Sequence, residues 1–361
     1  MIARFFLTLS LLLFLHHTAS AGGKVVYLSV GETITVFRVD ESSGQLTQIQ
    51  EIEGGGPSVL SPDRSRLYSI GGGLASFSVG EDGKLTALKK VPFEGGASFL
   101  DIDNTGRFLA SSDYGAGVVS LWAIQEDGSC DGTLVQKMEL EKRAHSSVFS
   151  PDNRFLLVPA TGPNKVFQLK FDEKTGMVTP NEPPFAEGPT DPESAQQPRH
   201  IRFHPKGGIA YTTQERELPG VAMWKWDAEK GALTLQQTIV TLPVGFEGSI
   251  TTADLHLTPD AKFLYVSNRD LTDRKAKSGQ SSIVRFSLGE DGTMKKLGHT
   301  ACEHIPRSFA IDEAGEFLYV AGQMADKFGV YRIDPETGDL KRIQQFETGP
   351  KPYWVTCLSL P

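Results

Sequence analysis

Apolar and polar residues alternate along most of the chain in short runs, and two kinds of turn separate the runs. In the first kind, a Ser-Pro-Asp phrase or a variant of it stands between two alternating runs. Such residues favour tight turns, and each phrase therefore predicts a β-hairpin. Full copies of the phrase begin at Ser61, Ser150 and Thr258, and looser copies begin at Asp103, His204 and Asp312.

The second kind of turn is acidic and carries a glycine, and it also lies between two alternating runs. Each copy predicts a further hairpin. One hairpin of each kind supplies four strands, which is the content of one propeller blade. Repetition at this spacing indicates a repeat architecture, here with seven blades. The glycines of the seven copies are Gly44, Gly83, Gly128, Gly176, Gly231, Gly292 and Gly338.

The first hairpin pattern has only six copies, and the two chain ends account for the seventh. Residues 352–360 alternate like its first strand, and residues 24–29 alternate like its second. Pairing of these ends would close the ring and remove exposed sheet edges. We therefore expect an all-β, seven-bladed β-propeller with four antiparallel strands per blade, closed by pairing of the N- and C-terminal strands.

The chain begins with the pattern of a secretory signal. Arg4 precedes an apolar run from Phe5 to Leu15, and the small residues Ala19, Ser20 and Ala21 form a cleavage site. The run is short for a membrane span, and an uncleaved anchor is the alternative. We predict a signal peptide over 1–21, cleavage near Ala21 with export to the periplasm or the exterior, and one propeller domain over 22–361.

Charge and cysteine content narrow the choice of partners. Removal of residues 1–21 takes away one Arg and no acid, which leaves 35 Lys and Arg against 44 Asp and Glu, a net charge of −9. This charge argues against nucleic acid and against an anionic membrane surface as partners. Cys130, Cys302 and Cys357 have no metal-site spacing, and we expect three buried blade residues. An odd count in an exported protein leaves at least one thiol unpaired or bridged to another chain.

The repeat register brings one set of polar residues to one end of the ring. The positions five residues before each first-hairpin phrase and eleven residues after it are symmetric about the turn. We expect them to lie across from each other on paired strands, at the mouth away from the turns. The earlier positions hold Gly56, Ser98, His145, Arg199, Ala253 and Arg307, and the later ones hold Gly72, Tyr114, Thr161, Glu215, Arg269 and Gln323.

Three arginines around one histidine and one glutamate suit an anionic ligand. The guanidinium group offers a planar fork to a carboxylate or phosphate. A His or Glu held among cations can act as a general acid or base. The alternative is an ordinary polar rim with no ligand.

Other chemistries have weaker support in the sequence. His200 and His204 would lie roughly 13 Å apart on a strand, too far to share a metal ion. No Gly-x-Ser-x-Gly nucleophile motif is present. The glycine runs 54–56 and 71–73 precede no helix and are expected to be turns. The basic segment 271–282, with Arg274, is expected to be a solvated loop.

The stretches 198–205, 253–269 and 306–312 resemble the lactonase-type seven-bladed propellers. That family includes bacterial 6-phosphogluconolactonases of the propeller kind and fungal carboxymuconate cyclases, and the similarity covers essentially the whole mature chain. Members often have His-x-His before a serine, where this chain has Arg143-Ala144-His145. The family's proposed active-site residues fall on His145, Arg199, Glu215 and Arg269.

The resemblance implies a lactone hydrolase that opens a sugar-acid lactone by acid/base-assisted attack of water, without a cofactor. Arg199 and Arg269 would hold the anion, and Glu215 or His145 would be the base. Arg307, Gln323 and Tyr114 are the expected substrate-binding residues. We expect a monomer that acts on a small anionic lactone or sugar acid. The alternatives are a carboxymuconate cyclase and a non-catalytic propeller that binds a small anion or a protein.

Overall fold

The alternating runs pair as antiparallel strands in seven four-stranded sheets, which form a ring of seven blades. The structure, a computed structural model, describes residues 23–93, 95–191 and 194–361. The predicted signal peptide lies outside the described residues. The described residues form the predicted seven-bladed propeller. The described residues form no helix, and hence no helix long and apolar enough to cross a bilayer.

Thirty strands make up the described chain. They are β1 (Lys24–Val30), β2 (Thr33–Val39), β3 (Leu46–Glu53), β4 (Ser58–Leu60), β5 (Arg66–Ile70), β6 (Leu74–Val79), β7 (Leu85–Val91), β8 (Phe99–Ile102), β9 (Phe108–Asp113), β10 (Val118–Ala123), β11 (Leu134–Glu139), β12 (Val148–Phe149), β13 (Phe155–Ala160), β14 (Lys165–Asp172), β15 (Met177–Glu187), β16 (Thr190–Asp191), β17 (Ser194–Ala195), β18 (Pro198–Phe203), β19 (Ile209–Gln214), β20 (Gly220–Asp227), β21 (Ala232–Val240), β22 (Ile250–Leu257), β23 (Phe263–Asp270), β24 (Ser282–Leu288), β25 (Met294–Ala301), β26 (Pro306–Ile311), β27 (Phe317–Gly322), β28 (Lys327–Ile333), β29 (Leu340–Glu347) and β30 (Pro352–Ser359).

Six sheets follow chain order, and the seventh joins the two ends of the chain in the order β30-β1-β2-β3. Strand β30 pairs antiparallel with β1 from Lys24 opposite Ser359 to Val30 opposite Pro352. This pairing confirms the predicted closure of the ring. The extra pair β16-β17 lies between the fourth and fifth sheets along the chain.

Seven apolar clusters hold the ring together, and each of them joins two neighbouring sheets. The cluster that spans the chain ends packs Val26 and Leu28 of β1 against Phe317 and Tyr319 of β27, all of them almost fully buried. Burial of these side chains is the main stabilising contribution to each interface. Because every sheet has two such interfaces, no sheet of the ring is a free end.

The first strand of each sheet lies toward the axis of the ring. Strands β22, β26 and β30 contact one another in succession, and β30 contacts β4. Fourth strands such as β7 are largely exposed. The ends of the first and second strands therefore surround the axis, where a site can form.

Candidate functional site

The inner strands carry a β-bulge near the mouth of the ring away from the first-hairpin turns. In β18, Pro198 pairs with Gln214 and Ile201 pairs with Thr212, which leaves Arg199 and His200 together opposite Thr213. The same irregularity occurs in β22 and β26. Bulges of this kind redirect side chains and are frequent beside active sites.

The predicted direct opposition of the two sets of positions is therefore wrong. Arg269 pairs with Thr251 rather than with Ala253. Glu215 donates its backbone N–H to the carbonyl of Gln197 rather than facing Arg199. Each bulge adds a residue to the inner strand, and a symmetric count from the turn cannot detect it.

A cavity of about 420 Å³ opens at this mouth. Five of the predicted catalytic and substrate-binding residues line it, namely Tyr114, His145, Glu215, Arg269 and Arg307. The guanidinium group of Arg199 lies beneath it and is 1% exposed. Gln323 is half-buried and does not belong to the described lining, which extends around the ring only as far as Arg307. The complete lining is Gly96, Ala97, Ser98, Asp113, Tyr114, Gly115, His145, Glu215, Arg216, Arg269, Leu271, Arg274 and Arg307.

Glu215 is an ionised carboxylate held by arginines. Arg269 donates from Nη2 to Oε1 of Glu215 at 2.7 Å, and Nε of Arg199 lies 3.7 Å from the same oxygen. Burial opposes ionisation of Glu215, but the charges of Arg269 and Arg199 outweigh it and lower the pKa to about 2. The other oxygen, Oε2, accepts no hydrogen bond from the described residues.

His145 is a neutral imidazole at the side of this cluster. It is 3% exposed, and its ring packs edge-on against Tyr114 with centroids 5.3 Å apart. Burial and the nearby charge of Arg199 lower its pKa well below the usual range. Its Nδ1 has no hydrogen-bond partner among the described residues. An uncharged imidazole with a free nitrogen can accept a proton.

Positive charge exceeds negative charge in the cluster. Arg199, Arg269 and Arg307 surround the single carboxylate of Glu215, and none of the ion pairs of the described residues involves Arg307. Burial and the charge of Arg269 lower the pKa of Arg307 to about 10, so it remains cationic at neutral pH. An anionic group in the cavity would offset this excess.

Three further charged residues of the lining, Arg216, Arg274 and Asp113, were not predicted. Arg216 and Arg274 are exposed at its rim, and Arg274 belongs to the segment that we expected to be only a solvated loop. Asp113 accepts hydrogen bonds from the N–H groups of Gly96 and Gly115, which fixes the two adjacent loops. Arg216 could have been found, because it directly follows Glu215 in the repeat register.

A larger groove of about 850 Å³ lies near the chain ends. Its charged residues, among them Arg38, Asp40, Glu41 and Asp82, are all exposed to solvent. Exposed charges are solvated, and their electrostatic interactions are weakened by the surrounding water. The cavity with the buried arginines is therefore the stronger candidate for a functional site.

Neither a metal cluster nor a disulfide is found in the described part of the chain. No group of three or more His, Cys, Asp or Glu there could hold a metal ion. The three cysteines are unpaired; Cys130 is buried as expected, whereas Cys302 and Cys357 are only half-buried.

Comparison with known proteins agrees with this architecture. The family model described as "Lactonase, 7-bladed beta-propeller" matches residues 20–357. A protein of Pectobacterium carotovorum named 6-phosphogluconolactonase is 33% identical over 347 residues, which cover 93% of this chain and 99% of that protein. A 6-phosphogluconolactonase of Yersinia pestis is 32% identical over 335 residues, which cover 90% and 94%.

The fold also matches a solved structure. The periplasmic gluconolactonase of Pseudomonas aeruginosa superposes with a TM-score of 0.83 at 24% sequence identity, covering 94% of this chain and 99% of that one. At this identity the match shows the fold alone. The family model matches nearly the whole chain, and the two relatives named above are more than 30% identical to it. The chain therefore belongs to the lactonase family of seven-bladed β-propellers.

Proposed function

We propose that this protein is a lactone hydrolase of the 6-phosphogluconolactonase type, which opens a sugar-acid lactone by attack of water. One observation carries the proposal: three arginines, of which Arg199 and Arg269 are buried and Arg307 is half-buried, surround one carboxylate beside a neutral histidine in a cavity of about 420 Å³. Such a cavity has the size of a small-molecule site. The names of the relatives from Yersinia and Pectobacterium support the same activity.

The arginines would stabilise the negative charge of the substrate and of the transition state. Arg269 and Arg307 line the cavity and can donate to an anionic group or to the oxyanion that develops on the lactone carbonyl. Arg199, which lies beneath the cavity, would add its positive charge to this stabilisation. The tetrahedral intermediate carries more charge on oxygen than the lactone does, so these groups favour the transition state over the ground state.

His145 would be the general base. It would take a proton from water as the water oxygen bonds to the acyl carbon. The bond from that carbon to the ring oxygen then breaks, and the imidazolium returns the proton to the departing alkoxide. One water is consumed and one hydroxy acid is formed, with no cofactor in the step.

Glu215 would position the arginines rather than transfer the proton. Its Oε1 already accepts from Arg269 and lies 3.7 Å from Nε of Arg199, whereas Nδ1 of His145 has no hydrogen-bond partner among the described residues. The ion pair of Glu215 with Arg269 keeps that guanidinium group oriented. Tyr114, which packs on His145, would hold the imidazole at the side of the substrate.

We also propose that the chain is exported after cleavage near Ala21, as a monomer. Arg4, the apolar run and the small residues before the propeller support export. An exported enzyme would meet sugar-acid lactones outside the cytoplasm, so unphosphorylated acidic lactones are included among its substrates. Mass spectrometry of the protein from the exported fraction should give a chain that begins at residue 22.

Acid release from a panel of lactones tests the activity. The panel contains glucono-δ-lactone, its 6-phosphate and a uronolactone, and the rates are measured above spontaneous hydrolysis with residues 22–361. We expect turnover of at least one of them, with preference for the anionic lactones. A chain that opens none of them but cyclises a carboxymuconate would be a lactonizing enzyme, and one that only binds acidic sugars would be a binding protein.

A further inference from the structure

A row of buried polar contacts extends from Arg199 away from the cavity. Nη1 of Arg199 lies 3.0 Å from Nε2 of His200. On the other side of that ring, Nδ1 of His200 lies 2.9 Å from Oδ1 of Asp254. Oδ2 of Asp254 is 3.4 Å from Nε2 of His256. The side chains of Arg199, His200 and Asp254 are at most 2% exposed.

The donors in this row allow one tautomer of His200. Arg199 can only donate, so Nε2 of His200 must be the acceptor. The proton of the neutral ring is then on Nδ1 and is donated to Asp254, which also accepts the backbone N–H of Leu255 on the same oxygen. Burial and the charge of Arg199 lower the pKa of His200 to about 3, which keeps the ring neutral.

Aromatic rings pack around His200. Its ring centroid is 5.1 Å from that of Phe99 and 5.2 Å from that of His145. Trp354 of β30 packs on Phe99 at 5.4 Å and lies 6.4 Å from His200. These rings lie between the functional cavity and a second cavity of about 350 Å³, which Asp254 and His256 line.

We propose that His200 and Asp254 are positioning residues that hold the Arg199 guanidinium group beneath Glu215 and His145. The inference rests on the proposed lactonase function, because it assigns Arg199 a part in that reaction. Asp254 fixes the tautomer of His200. The unprotonated Nε2 of His200 then orients the guanidinium group of Arg199 by accepting its hydrogen bond. The backbone carbonyl of Ala253 accepts a second hydrogen bond from the same Nη1 at 2.6 Å.

The bulges of β18 and β22 bring His200 and Asp254 into this row of contacts. Arg199 and His200 are consecutive in the bulge of β18, and Ala253 and Asp254 are consecutive in the bulge of β22. Without the extra residue, two consecutive strand residues would point to opposite faces. Within the bulges, Arg199 can bond to its own neighbour His200 and to the adjacent strand.

His200→Phe tests the proposal with little change of shape. The phenyl ring fills the space among Phe99, His145 and Trp354 but cannot accept from Arg199 or donate to Asp254. We expect kcat for the best lactone to fall at least tenfold while KM changes less than about threefold, because loss of an oriented charge affects the transition state most. Asp254→Asn keeps an acceptor for His200 and should retain more of kcat than Asp254→Ala.

Phe99→Leu is the matched control, since Phe99 packs on His200 but makes no polar contact in the row. It should lower the melting temperature with little loss of kcat per folded molecule. If His200→Phe behaves like Phe99→Leu, the role of His200 is only structural and the proposal is wrong.

A spectroscopic measurement separates this proposal from the proposed function. Long-range ¹H–¹⁵N spectra of histidine-labelled protein, with His200→Phe for assignment, need no substrate. We expect His200 to carry its proton on Nδ1 from pH 8 to pH 5. A proton on Nε2, or titration in that range, would overturn the positioning role even if wild type opens lactones. Absence of lactone turnover with the Nδ1 tautomer present would instead overturn the function, and with it the catalytic purpose of the pair.

Discussion

Glu215 and His145 lie in the same cavity, and the same arginines set the protonation of both. The charges of Arg269 and Arg199 outweigh burial and favour the carboxylate of Glu215, whereas burial and the charge of Arg199 disfavour the imidazolium of His145. The two groups are therefore an anion and a neutral imidazole at neutral pH. We assign proton transfer to His145, whose Nδ1 has no hydrogen-bond partner among the described residues, and orientation of the arginines to Glu215, whose Oε1 accepts from Arg269.

The depressed pKa of Glu215 predicts a pH-dependent contribution to stability. Its pKa falls from 4.5 in the unfolded chain to about 2 in the folded protein. The ionised group stabilises the fold above pH 4.5, and this contribution is lost as the pH falls toward 2. We therefore compare the free energies of unfolding of wild type and Glu215→Gln. The difference between them should be about 2 kcal/mol smaller at pH 3 than at pH 7.

Urea unfolding of the two proteins at a series of pH values measures that difference. Because both proteins share all other carboxylates, their acid sensitivity cancels in the comparison. A difference that does not change with pH would show that Glu215 has an ordinary pKa, and the ion-pair cluster would then be wrongly described.

Individual residues of the site could be predicted from the repeat, but their surroundings could not. The register identified Tyr114, His145, Glu215, Arg269 and Arg307, because equivalent positions of a repeat meet at one mouth. It could not identify the partners of His200, since the bulges that bring Asp254 to it have no signature in the alternating pattern.

At the scale of the element, one hydrogen bond explains why the two turn patterns occur together. The hydroxyl of Tyr265, on the second strand of its sheet, donates to the carbonyl of Gly338 in the acidic turn of the next sheet at 2.7 Å. Tyr211 bonds to Gly292 in the same way. Gly338 has a φ of 69°, a conformation that favours glycine. In these blades the tyrosine thus joins the second strand to the acidic turn of the following blade.

Tyr319 occupies the same position but has no partner for its hydroxyl among the described residues, which gives a matched pair of variants. Tyr265→Phe should destabilise the protein by about 1–2 kcal/mol, because the Gly338 carbonyl is left buried and unpaired. Tyr319→Phe should change stability by less than about 0.5 kcal/mol or raise it. Equal losses in urea unfolding would contradict the account of these bonds.

The turns and alternating runs predicted the strands well, since both are local properties. The segment from Pro180 is an exception. Proline and glutamate suggest a loop there, but β15 continues to Glu187. An outer strand tolerates proline because its outer edge needs no donor, so a composition rich in proline and glutamate does not exclude a strand.

At the scale of the whole molecule, a cationic cavity lies in an acidic protein. Residues 22–361 have a net charge of −9, whereas four arginines line the cavity. Arg216 and Arg274 at the rim are exposed and are placed to attract an anion before it reaches the buried arginines. The overall charge would otherwise repel such a substrate.

The double variant Arg216→Ala/Arg274→Ala should therefore lower kcat/KM for an anionic lactone by about three- to tenfold at low salt. The loss should shrink at about 0.3 M salt and be small for a neutral lactone. Lys170→Ala/Lys225→Ala removes the same charge from exposed positions outside the cavity and is the control. Equal effects of the two double variants would show that only net charge matters.

Closure of the ring was the most predictable property of the molecule. The count of hairpins predicted that one hairpin is divided between the two chain ends, and β30 does pair with β1. The extent of the cavity was less predictable. Ring symmetry treats Gln323 as equivalent to Glu215, but the lining ends at Arg307.

The most direct test of the central claim compares lactone hydrolysis by wild type, His145→Gln and His204→Gln at pH 6.5. His204 is also largely buried, but it lies in a first-hairpin turn, where its Nδ1 accepts the N–H of Lys206. We predict that His145→Gln loses at least about 100-fold in kcat, as expected for a general base, and that His204→Gln retains wild-type turnover. Undiminished turnover in His145→Gln would contradict the account, because the reaction would then not depend on the base in the arginine cavity.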